Sequence, residues 1–150
     1  MHPITGGKVM TATPELLAGL REKLNYSDAE WEMWLNNPRN LNVVERFAQC
    51  GNLRLVAEVI KSRGCAAGHK VGDKLIFSAM GAFVGKEPPG EVCTGVLAPL
   101  IYSVSSVWSS IAGGVDPQDL LLFNTFRCLD VGVDNGGWGE VVMQLRLEKV

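Results

Sequence analysis

The stretch Gly64 to Asp73, GCAAGHKVGD, sets Cys65 and His69 four residues apart in a glycine-rich loop. A thiolate and an imidazole are ligands for a soft metal, and they are also the pair from which a reactive thiol and its base are built. Cys93 and Cys128 stand, like these two, at the edges of expected elements: a strand end, its adjoining loop, the first turn of a long helix and a late strand. Such positions can converge at one end of a sheet. Three thiolates and one imidazole would make a tetrahedral site for zinc, or could hold iron. The set lacks the paired C-x-x-C knuckles of zinc ribbons, so spacing alone does not select this chemistry.

A second chemistry uses one thiol as nucleophile or redox centre. Cys93 is the candidate, because the macrodipole and free N–H groups of a first helical turn favour a thiolate. His69 or Lys70 could assist if their loop folds over it. Asp130, two residues beyond Cys128, could serve as a proton carrier in a catalytic version of either site. Against both stands plain packing, since free cysteine behaves as a small hydrophobe and is often buried. Cys50 is the least suggestive of the four cysteines. Asp73, Asp116, Asp130 and Asp134 all read first as turn residues. The NGGWG stretch from Asn135 to Gly139 reads as a tight loop with Trp138 packed beneath it, or as a lid over a small molecule.

At 150 residues the chain can bury a core without staples. Its 47% hydrophobic and 20% charged composition is that of a globular protein. A formal net charge of -2, with basic residues scattered singly, speaks against nucleic acid as a partner. The N-terminal residues lack the apolar stretch of a signal peptide. The uncharged run Val92 to Val115 is broken by Pro99, serines and glycines, which fits a buried or interfacial helix better than a membrane span. The cytoplasm is the expected location, and reduced thiols the expected state of the cysteines.

Two segments are expected, 1–50 helical and 51–150 a mixed core, joined near Cys50. In the first, Thr13 caps a helix with Pro14 at its first position. Ser27 and Glu30 form a capping box ahead of Trp31, Trp34 and Leu35. Pro38 ends that helix, and a third is expected from Asn42. In the second segment, Leu53–Ser62 and Asp73–Met80 read as strands. A long helix follows, with Cys93, Leu97, Leu100, Val104, Trp108 and Ile111 on one stripe and Gly113-Gly114 as its stop. FRCLDVGV and the alternating EVVMQLRLEK read as two closing strands. The fold class is therefore α+β: a small, mostly antiparallel sheet packed on one long helix and preceded by a helical segment. The long helix carries no charge, and its serines 103, 106, 109 and 110 point to a subunit interface, in a homo-oligomer or a larger complex. No membrane partner is expected.

From Leu53 onward the chain resembles a family of small uncharacterised prokaryotic proteins, many from anaerobes and most about a hundred residues long. The resemblance rests on CAAGHKVGD, GEVCTGVLAPL, AGGVDP, RCLD and the closing GEVVMQLRLEK, and so on Cys65, Gly68, His69, Cys93, Gly113, Gly114, Cys128 and Asp130. Cys50 has no counterpart in that pattern, and the helical front part resembles a longer subgroup. The resemblance implies a shared site at Cys65, Cys93 and Cys128, with His69 as an optional fourth member. The expectation carried forward is a zinc- or iron-binding protein, a small metalloenzyme or an accessory subunit. Its rivals are a non-catalytic oligomeric or partner-binding module with structural cysteines, and a thiol-redox protein using Cys93.

Overall fold

The computed structural model describes residues 12–116, 119 and 121–150, and the chain divides into two compact units between Gln49 and Cys50.

The first unit is helical. In α1 (Pro14–Leu24), Thr13 accepts the Leu16 N–H and proline occupies the first turn, where its missing N–H costs nothing. α2 (Asp28–Leu35) opens on the Ser27–Glu30 capping box, each residue accepting the other's backbone N–H. Trp31 and Trp34 stack on one another with ring centroids 4.9 Å apart. α3 (Pro38–Cys50) begins at Pro38, earlier than expected. The side chain of Asn37, not Asn42, accepts the first free N–H, that of Arg39 at 3.1 Å. Pro38 thus both stops α2 and starts α3, since the first helical position is where proline is tolerated.

The second unit is a five-stranded antiparallel sheet in the order β3-β2-β1-β5-β4, with one long helix. β1 (Leu53–Arg63) lies at its centre between β2 (Lys74–Ser78) and β5 (Glu140–Lys149), with a bulge between Val59 and Lys61. β3 (Phe83–Glu87) was not expected; Gly85 within it and Pro88 after it hide the strand pattern. β4 (Thr125–Arg127) is short and ends just before Cys128.

α4 (Thr94–Gly113) packs against the sheet through Val96, Leu100, Val104, Val107 and Ile111, all buried. The stripe is thus rotated from the expected one: Leu97 and Trp108 flank it, and Cys93 precedes the helix as its N-cap. On the sheet, Leu55, Ala57, Leu75, Val141, Met143 and Leu145 are likewise buried. Gly81 (φ +83) turns β2 into β3 directly over the helix, and a Cβ there would lie 3.7 Å from Val104 Cγ1. Gly114 closes α4 in the left-handed region. By length and composition α4 is the one helix among the described residues that could cross a membrane. Its buried stripe accounts for much of that apolarity.

This topology gathers one end of the sheet. Arg63, the last residue of β1, pairs with Glu140, the first of β5. Arg127, the last of β4, pairs with Val142. The Leu129 N–H then donates to the Gly95 carbonyl at 3.0 Å, tying the chain beyond β4 to the first turn of α4.

Candidate functional site

Three cysteines meet where the sheet end faces the helix start. Cys65 enters from the loop after β1. Gly64 begins this loop at φ +62, with the Trp138 carbonyl 2.8 Å from where a Cβ would be, so a side chain is excluded twice over. The Gly68 N–H closes a turn on the Cys65 carbonyl at 3.0 Å, and Gly72 and Asp73 return the chain to Val59.

Cys93 is the N-cap of α4 in extended geometry, and its side chain makes no capping hydrogen bond. A Cβ on Gly95 would lie 3.7 Å from the Cys93 sulfur, so the thiol lies over the first turn. In that turn the Val96 N–H reaches back to the Cys93 carbonyl at 3.3 Å, while those of Thr94 and Gly95 lie too near the helix start to find an intrahelical acceptor. Cys128 is fixed more tightly. Its N–H donates to the Val141 carbonyl at 2.9 Å, and its Sγ accepts the Val141 N–H at 3.3 Å. It is 9% exposed, whereas Cys65 and Cys93 are half-buried.

Cys65, Cys93 and Cys128 line a single cavity of about 190 Å³, together with Gly95, Val96 and Asp130. Cys50 is elsewhere. Burial pushes its thiol up, and the charge of Asp116 adds to the effect.

His69 does not line this cavity. It is buried behind Cys93, where its Nε2 accepts the Cys93 backbone N–H at 3.4 Å. Nδ1 lies 3.8 Å from Asp73 Oδ2, too long for a hydrogen bond, and has no other partner. Asp73 is buried too. Its carboxylate accepts the Lys70 N–H at 3.1 Å and the Lys86 ammonium at 2.9 Å. It therefore closes a turn, as expected, and also forms an ion pair with a strand that the pattern did not reveal.

Asp130 uses its carboxylate on backbone. It accepts the N–H groups of Gly132, Trp138 and Gly139, each at 3.0 Å. Those bonds hold the carboxyl below its ordinary range, with Arg127 contributing and burial opposing. The same bonds shape the loop from Val131 to Gly139, in which Trp138 is 78% exposed rather than packed beneath.

The donor set, three thiols facing one space, has the softness that zinc or iron selects. Its geometry is another matter. Among the described residues no group of three or more His, Cys, Asp or Glu side chains is arranged to hold a metal ion. The thiols line the cavity without forming a ligand set. Comparison with protein-family models, curated proteins and solved structures returns no match.

Proposed function

We propose that the second unit carries a thiol-dependent site for a small ligand, with Cys93 as the reacting thiol. One observation carries this reading: cysteines from three distant parts of the chain line one cavity. Cysteines used only as core filler have no reason to share an opening, and two of these three are half-buried at its wall. Cys93 is singled out by its place over the first turn of α4. Oriented N–H groups there stabilise negative charge on an anion or a developing one.

The chemistry is thiol–disulfide exchange. The Cys93 thiolate attacks one sulfur of a ligand disulfide, forming a mixed disulfide and releasing the other half as a thiolate. The Cys65 thiolate then attacks the Cys93 sulfur. A Cys65–Cys93 disulfide forms, the second half of the ligand leaves, and two electrons have passed from protein to ligand. Cys128, held by Val141, stays a wall of the cavity. A reducing cytoplasm would keep the resting thiols free.

A second reading follows from the donor set. Cys65, Cys93 and Cys128 are not arranged as a ligand set as they stand, but they supply soft donors that zinc or iron would have to draw together, in a small metalloenzyme or an accessory subunit.

Competitive alkylation at neutral pH, read by mass spectrometry for each cysteine, tests the first reading. Cys93 should react fastest, and Cys50 and Cys128 slowly. Cys93→Ser should abolish the fast phase with the fold intact. A Cys93 no faster than Cys50 would sink the proposal. The second reading is tested by elemental analysis of untagged protein purified without oxygen. It requires close to one zinc or iron per chain, lost in Cys65→Ser.

A further inference from the structure

Gly139 and Glu140 are a wall shared by two cavities. One holds the thiols, and the other, of about 230 Å³, is lined by Arg63, Arg127, Asp134, Trp138 and the shared pair. We propose that this second cavity binds a small planar carboxylate, independently of any thiol chemistry.

The charge pattern of the sheet carries the argument. By register, Arg54, Glu58, Lys61, Arg63, Glu140, Arg146, Glu148 and Arg127 all project from one face. Towards one end their charges balance: Arg54 pairs with Glu148 at 3.0 Å, and Arg146 with Glu58 at 2.7 Å and Glu148 at 2.9 Å. At the cavity end they do not. Lys61, Arg63 and Arg127 surround one carboxylate, Glu140, which Lys61 holds at 3.0 Å and Arg127 at 3.8 Å. Arg63 stands directly opposite Glu140 in register and joins none of the ion pairs among the described residues. Asp134 offsets one of the two surplus charges and Asp130, whose ionised form Arg127 favours, offsets the other, so what this end offers an anion is the unpaired Arg63.

An exposed guanidinium presents two parallel donors that match a carboxylate edge to edge. Arg63 has this fork free, whereas Arg127 spends one nitrogen on the Val131 carbonyl at 2.9 Å. Trp138 supplies the flat surface. Its backbone is pinned by Asp130, so its indole is held out by a bonded loop. A planar ring can stack on that face while its carboxylate meets Arg63. The cavity lies below the usual range for drug-sized ligands, which limits the occupant to about one ring.

The test is an NMR titration of the full chain with benzoate, its neutral isostere benzamide, and inorganic phosphate. Benzoate should saturate, with benzamide and phosphate each weaker by about tenfold or more. Arg63→Gln should weaken benzoate by a similar factor, and Trp138→Leu should weaken benzoate but not phosphate. Both changes are at exposed side chains, which keeps the fold testable by circular dichroism. Equal binding of benzoate and benzamide overturns the anion assignment. Equal binding of benzoate and phosphate overturns the planar one, and no saturable binding overturns both. Cys93→Ser should bind benzoate like the unmodified chain, so failure of the thiol reading leaves this outcome separately readable.

Discussion

His69, only 3% exposed, accepts the backbone N–H of Cys93 through Nε2 at 3.4 Å, across 24 residues of sequence. The bond fixes the imidazole as its Nδ1–H tautomer, because the accepting nitrogen must be bare. It also joins the two parts of the thiol site, the loop after β1 and the start of α4. Cys65 and Cys93 reach one cavity because the histidine between them in the chain is fastened to the second cysteine's backbone.

Removing that imidazole should therefore be felt in stability. His69→Ala leaves a void and an unpaired, partly buried N–H, and should cost about 2–4 kcal/mol in urea unfolding. His69→Gln places an amide oxygen where it can accept the same N–H, and should recover a large part of the loss. If the two variants are equally destabilised, packing rather than the hydrogen bond is what His69 contributes.

The same residue gives the fold an acid-sensitive window. Burial lowers the His69 pKa, Lys86 pushes the same way, and Asp73 opposes them. In the unfolded chain histidine titrates near about 6.5. Below that value the unfolded state takes up a proton that the folded state refuses, so stability is full above it and falls as the pH drops towards the folded pKa. Burial tends to raise the Asp73 carboxyl, but Lys86 and the Lys70 N–H outweigh it and the net shift is downward. Stability from Asp73 is thus present above its ordinary range and lost only in stronger acid. The urea midpoint should stay level from about pH 8 to 7 and decline from about 6.5 to 5. In His69→Gln this upper decline should vanish. A level midpoint across the whole range in the unmodified chain would contradict the burial argument.

Asp130 makes a different prediction from the proton carrier expected of its position. With both oxygens accepting backbone N–H groups, its structural work is the loop from Val131 to Gly139. Asp130→Ala should speed hydrogen exchange at the amides of Gly132, Trp138 and Gly139 while leaving α4 protected. Because its carboxyl sits below the ordinary range, the unmodified loop should keep its protection until the pH falls under about 4. Unchanged exchange in the variant would show that the loop holds itself.

The caps, the buried central strands and the long helix could be read from the chain, because each leaves a local signature. Thr13-Pro14, Ser27-x-x-Glu30 and the alternation of Val141, Met143 and Leu145 are sufficient in themselves. Their places at element edges group Cys65, Cys93 and Cys128, which line one cavity, but the same ground groups His69 with them, and His69 does not line it. What escaped notice depended on pairing across space. β3 hides behind Gly85 and Pro88, and its identity comes from β2 beside it. The buried Asp73–Lys86 pair joins residues thirteen apart, on a loop and on that unseen strand. The place of the unpaired Arg63 opposite Glu140, with Arg127 on the same face, is visible only once the register of β1, β5 and β4 is known. His69 in a glycine-rich loop carried no sign that it would be buried.

The wall between the two cavities is the most economical place to perturb both. Gly139 passes so close to β1 that a Cβ would fall on the Gly64 carbonyl, with the Arg63 carbonyl 2.7 Å away. These are backbone atoms and cannot rotate aside, so Gly139→Ala must push β5 from β1 where Arg63 and Glu140 pair. A cost of about 2 kcal/mol or more is expected. Gly68 offers the control. It has φ +73 and nothing within 4 Å of its missing Cβ, so Gly68→Ala meets only backbone strain, about 1–2 kcal/mol. In urea unfolding Gly139→Ala should be the more damaging of the two. It should also slow alkylation of Cys93 relative to Cys50 and weaken benzoate, because one displaced strand end deforms both cavities. If Gly139→Ala weakens neither function while lowering stability, the shared wall is structural only, and the two cavities do not depend on its position.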